Sequence, residues 1–113
     1  MNCYAFNDHG HVIGHISKNG YGIVVMKMDD IFGSEFVLAK SYNMLNDLVG
    51  SIDPKDNLNP KSAVFMTEDK DYTIIFDNTH SNGCHITVHH NTSGFDLKYV
   101  FSYIEDVTGE VEI

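Results

Sequence analysis

The chain contains no arginine. Its seven cationic side chains are all lysines, and they stand against sixteen carboxylates, a formal charge of −9 on 113 residues. The guanidinium fork is the usual grip on phosphates and base edges, so its absence argues against phosphate recognition. A surface this negative repels DNA, RNA and anionic lipid and attracts cations. Neither nucleic acid nor a membrane is therefore an expected partner. Cysteine is scarce too. Cys3 and Cys84 are the only two, too few for the disulfide framework of a small secreted domain, and two thiols in a reducing compartment are expected. The first ten residues have neither a basic n-region nor an apolar h-region, so no signal peptide is expected. No apolar run approaches the roughly 20 residues that span a bilayer. The expectation is a cytoplasmic protein. Glycines are scattered, with no phosphate-cradling loop, nucleophile elbow or paired C-x-x-C motif, and no cofactor or catalytic group is expected.

What is present suits one folded domain. Hydrophobic residues make up 42% of the chain, too many for a disordered acidic tail. Turn-forming clusters at Asn7-Asp8-His9-Gly10 and Ser17-Lys18-Asn19-Gly20 divide short β-prone runs at residues 3–6, 11–16 and 21–28. Asn-Gly favours the positive φ values of a type I′ turn, which predicts a three-stranded meander. Over residues 34–49 the period changes: Leu38, Tyr42, Leu45 and Val49 fall on one helical stripe. Ser34 and Gly50 stand where an N-cap and a C-terminal glycine belong, with Glu35 favourable to the helix dipole. Both prolines, Pro54 and Pro60, fall in a stretch read as loop from Ser51 to Ser62. Strands follow at residues 63–67, 72–77 and 84–89. After Gly94, Leu97, Phe101 and Ile104 fit a helix, while Leu97, Tyr99, Phe101 and Tyr103 fit a strand. We expect a short helix there and a terminal strand at residues 111–113. The sum is a single α+β domain over residues 1–113, built on an antiparallel sheet.

Seven histidines invite a metal reading. His9, His11 and His15 form an H-x-H-x-x-x-H pattern, and alternate strand residues share a face. The pattern resembles in part the metal-binding motif of small cupin barrels. It departs from it where a glutamate is expected, and the later half of that motif is missing. A histidine-ligated metal-binding protein or metalloenzyme is the alternative this pattern offers. In the second group, His85 and His89 lie roughly 13 Å apart along a strand, and His89 and His90 face opposite ways. Cys84 shares a face with Ile86 and Val88, which marks it as a core thiol and not a nucleophile.

The carboxylates carry the main expectation. Asp29 and Asp30 precede the expected helix. Glu68, Asp69 and Asp71 crowd a hairpin tip beside Tyr72, and Glu105 and Asp106 open an acidic C-terminal stretch. Such clusters can form a docking surface for a cationic protein, with Tyr72 as an aromatic anchor. In size, charge and element pattern the chain resembles the small acidic α+β immunity proteins of bacterial contact-dependent and polymorphic toxin systems. That resemblance implies a non-enzymatic inhibitor, no cofactor, and a basic partner, a nuclease toxin domain.

Overall fold

The structure, a computed structural model, describes residues 3–29, 35–52 and 60–103. In chain order these form β1 (Cys3–Phe6), β2 (Val12–Lys18), β3 (Val24–Met28), β4 (Glu35–Ala39), α1 (Tyr42–Val49), β5 (Ser62–Met66), β6 (Tyr72–Asp77), β7 (Cys84–His90) and β8 (Asp96–Tyr103). The strands build one sheet in the order β4-β3-β2-β1-β8-β7-β6-β5, and every pairing is antiparallel. Two four-stranded meanders are thus joined back to back through β1 and β8, with α1 between their outer strands. The fold is mostly β, with one helix among the described residues, rather than an even mixture of the two.

The sheet curls. Eight strands laid flat would make a layer about 10 Å thick, whereas the smallest extent of the molecule is 30 Å. Alternation along most of the strands explains the curling. Cys3, Ala5, Ile16, Met26, Phe36, Leu38, Ile74, Phe76, Ile86, Val88, Tyr99 and Phe101 turn to one face and form a single buried cluster. Wrapping the sheet around that face removes it from water, and each large side chain buried in this way contributes about 2 kcal/mol. Rolling brings the two outer strands, β4 and β5, to either side of a seam. Leu45 and Val49 of α1 and the following Ile52 join the core, and the helix packs on both β4 and β5. Buried Asn78 locks this end: its amide donates to the carbonyls of Val49 at 2.8 Å and Ser51 at 3.1 Å.

Three expectations are corrected. Residues 35–39 form a strand, because Phe36 and Leu38 alternate inward with Glu35 and Val37 outward; the helical stripe begins only at Tyr42. Its N-cap is Ser41, whose hydroxyl accepts the amide of Met44 at 3.2 Å. Ser34 lies outside the described residues, and Glu35 is on an edge strand instead of a helix terminus. The segment after Gly94 is the eight-residue strand β8 and not a helix. It sits mid-sheet between β1 and β7, where period-two burial satisfies both neighbours. The terminal strand expected at 111–113 lies outside the described residues. The turn after β2 also differs. Asn19 heads it, its side-chain oxygen accepting the amides of Tyr21 and Ile23, and the positive φ falls on Gly22 instead of on Asn19-Gly20. Asn7 does the same, its side-chain oxygen accepting the amides of His9 and His11 while its backbone carbonyl accepts that of Gly10.

Candidate binding site

At the end of the seam away from α1, a cavity of about 720 Å³ opens between β4 and the β5–β6 turn. Glu35, Phe36 and Val37 line one wall; Met66, Thr67, Glu68, Asp69 and Tyr72 line the other. The rings of Phe36 and Tyr72 meet edge to face across it, 5.2 Å between centroids at 88°. Tyr72 continues into His90 at 5.1 Å, and His90 stacks on Phe95 at 5.2 Å. The floor is therefore aromatic and the rim carboxylate.

The acidic wall is a braced turn. Thr67 Oγ1 donates to Asp69 Oδ1 at 2.6 Å, and that oxygen also accepts the Asp71 amide at 3.0 Å. These two donors, the hydroxyl first, hold the Asp69 carboxyl below its ordinary pKa. Lys70 adopts φ +63°, the position that Gly10 and Gly22 fill in the two asparagine-headed turns. Asn91, from the β7–β8 turn, buttresses the loop. Its amide donates to Lys70 O at 2.8 Å, its backbone N–H donates to Asp71 O, and its side-chain oxygen accepts from Thr73.

Strand order segregates the charges. Among the described residues, the cavity end of the barrel carries Asp8, Asp29, Glu35, Glu68, Asp69, Asp71 and Asp96 against Lys27 and Lys70. The opposite end holds Lys18, Lys40 and Lys61 with Asp47 and Asp77, and exposed Lys98 lies between the two ends, two residues along β8 from Asp96. Lys27 pairs with Glu35 at 3.5 Å, an exposed pair that leaves Glu68 and Asp69 to set the local field. Glu35, Glu68 and Asp69 line the cavity and Asp71 adjoins it, while Asp8, Asp29 and Asp96 are spread over the rest of that end; together they give it a negative potential, focused at the cavity by its apolar floor.

Of the residues singled out in the sequence, Glu68, Asp69 and Tyr72 line the cavity, and exposed Asp71 adjoins it. Asp29 is exposed at the same end, just past β3, without lining the cavity. Asp30, Glu105 and Asp106 lie outside the described residues. Glu35 and Phe36 were missed because they come from a strand read as helix. Asn91 was missed because its role is entirely in contacts distant along the chain.

The histidines are dispersed. His9 and His11 are exposed in the β1–β2 turn with ring centroids 6.3 Å apart. His15 lies in β2, stacked on Tyr4 and opposite Lys27. Burial, and then the Lys27 charge, lowers its pKa, and its Nδ1 is buried with no hydrogen-bond partner. His80 and His85 stack at 3.8 Å, with Asp77 3.0 Å from His80. Among the described residues no three His, Cys, Asp or Glu side chains are grouped to hold a metal ion. Both cysteines are buried and neither forms a disulfide; burial pushes the Cys84 thiol up to about 12, with smaller contributions from Cys3 and Asp77. Such a thiol is inert as a nucleophile.

No helix among the described residues is long and apolar enough to cross a membrane. The chain matches no protein-family model, no curated protein and no solved structure.

Proposed function

We propose that this protein is a non-enzymatic binding protein whose acidic barrel end docks a basic protein, and that it acts as an immunity protein against a nuclease toxin. One observation carries the reading: Glu35, Glu68 and Asp69 line an aromatic-floored cavity, with Asp71 beside them, at the end of the barrel that also carries exposed Asp8, Asp29 and Asp96. A nuclease binds its substrate in a cationic groove. A rigid carboxylate rim can occupy that groove where phosphates would lie and so exclude the nucleic acid. Phe36 and Tyr72 supply the desolvated contact that charge alone does not, since interface energy concentrates in a few aromatic or arginine anchors. Long-range attraction would speed encounter toward roughly 10⁸ M⁻¹s⁻¹ at low salt. Neutralisation would take place in the cytoplasm, before the toxin reaches the nucleic acid of its producer.

Co-purification from the native host tests this. The expected partner is a lysine- and arginine-rich domain with nuclease activity that one equivalent of this protein abolishes. Recovery of an acidic or neutral partner, or turnover of a small metabolite by the protein alone, would overturn the reading.

A further inference from the structure

We infer that the seam-facing edge of β5 takes up an extended, basic segment of the partner as an additional strand. The inference rests on the acidic docking just proposed and adds the manner of engagement. Among the described residues β4 and β5 each have only one hydrogen-bonded neighbour. The phase of the β5–β6 ladder is fixed by Thr67 N donating to Tyr72 O at 2.9 Å and Asn78 N donating to Lys61 O at 3.2 Å. In an antiparallel ladder the bonded residues alternate. The Lys61 carbonyl, residues 63 and 65, and the Thr67 amide therefore bond toward β6, and the backbone N–H and C=O groups of Ser62, Val64 and Met66 point into the seam.

Natural sheets blunt such edges with proline, charge or a bulge. From Ser62 to Met66, β5 has no proline and no charge, and its register with β6 runs without a break. Of its three outward side chains, Ser62, Val64 and Met66, the last two are apolar and open, at 66% and 55% exposure, with partly exposed Ile75 beside Val64 on β6. Open main-chain groups offer affinity for an added strand, and Val64, Met66 and Ile75 offer an apolar bed for the aliphatic stems of cationic side chains on its outer face.

Charge selects the occupant. A strand laid along β5 runs out of the seam past Glu68 and Asp69, with Glu35 on the facing wall. Cationic side chains at alternate positions and near its end meet these carboxylates, while the intervening apolar ones turn toward Phe36 and Tyr72. A second copy of this chain would bring another −9 to the same edge, and long-range repulsion opposes it.

The test uses the full chain and the peptide acetyl-Lys-Val-Lys-Val-Lys-Val-Lys-amide. Binding is followed by fluorescence anisotropy and by amide hydrogen exchange of the protein. Peptide should slow exchange at Val64 and Met66 by about tenfold or more, the equivalent of one backbone hydrogen bond gained at each. Val64→Pro removes a seam-facing N–H that no bond among the described residues uses, and should weaken binding about tenfold with charge unchanged. If that variant fails to fold, exchange on the unmodified chain decides. Peptide binding that shifts Glu68 and Asp69 but leaves the Val64 and Met66 amides unprotected overturns strand addition and leaves acidic docking standing. Binding lost in Val64→Pro yet indifferent to salt and to Glu68→Lys supports the strand and overturns the electrostatic reading. No binding, or a dimer that already protects these amides without peptide, overturns strand addition.

Discussion

Phe36 and Tyr72 touch across the seam although their strands, β4 and β6, stand first and seventh in the sheet order. That contact is possible only because the sheet rolls almost into a barrel. It fastens the open end as α1 fastens the other. Phe36 is 4% exposed, so Phe36→Ala should cost about 3 kcal/mol, measured by urea unfolding. A double-mutant cycle with Tyr72→Ala should return a coupling of about 1 kcal/mol, as expected of an edge-to-face pair. Strictly additive effects would mean that the rings do not clasp the seam.

Lys70 holds a left-handed conformation where comparable turns of this chain have glycine. A side chain in that conformation costs about 1 kcal/mol. Lys70→Gly should therefore raise stability by about 0.5 kcal/mol after the entropic cost of glycine in the unfolded chain. It also removes a cation from the acidic rim, and association with a basic partner should quicken. Thermal unfolding and association kinetics check the two effects separately.

His15 couples stability to pH. Its folded pKa is held below the ordinary 6.5 by burial and by Lys27, so the unfolded chain takes up the proton first as pH falls. The contribution of a neutral His15 is fully present above about pH 6.5 and is lost as pH drops toward the folded pKa. The stability difference between His15→Leu and wild type should thus move in favour of the variant between about pH 7 and pH 5. Parallel stability curves would show that His15 is not the linked group.

Gly83 opens β7 at φ +135°, and a Cβ there would lie 2.6 Å from the carbonyl oxygen of Phe101. Gly83→Ala should cost about 2 kcal/mol or more, since backbone must move in the centre of the sheet. A neutral result in thermal unfolding would mean that β7 and β8 separate there at little cost.

Much of this fold is legible in local pattern. Turn formers and period-two runs locate β1, β2, β5, β6 and β7 to within about two residues, and Gly50 marks the end of the helix. The segment 34–49 misleads for a physical reason. Leu38 belongs equally to a helical stripe with Tyr42 and Leu45 and to a strand with Phe36; pairing with β3 selects the strand, and that information lies outside the segment. β8 is ambiguous alone and unambiguous between β1 and β7. The acidic tip at Glu68, Asp69 and Asp71 with Tyr72 is visible in sequence. Its partners Glu35 and Phe36, and the gathering of Asp8, Asp29 and Asp96 at the same end, depend on strand order. Composition reports total charge, whereas its placement follows topology.

Charge at the cavity rim is the centre of this account, and the association rate tests it most directly. The rate of binding to the co-purified partner should be measured from about 0.05 to 0.5 M salt, where the Debye length contracts from roughly 14 Å to 4 Å. Wild type should slow by about tenfold or more across that range. The triple variant Glu68→Lys, Asp69→Lys, Asp71→Lys should start slower and show a shallower salt dependence, with its fold intact by circular dichroism. Identical rates and slopes for the two proteins would contradict the account.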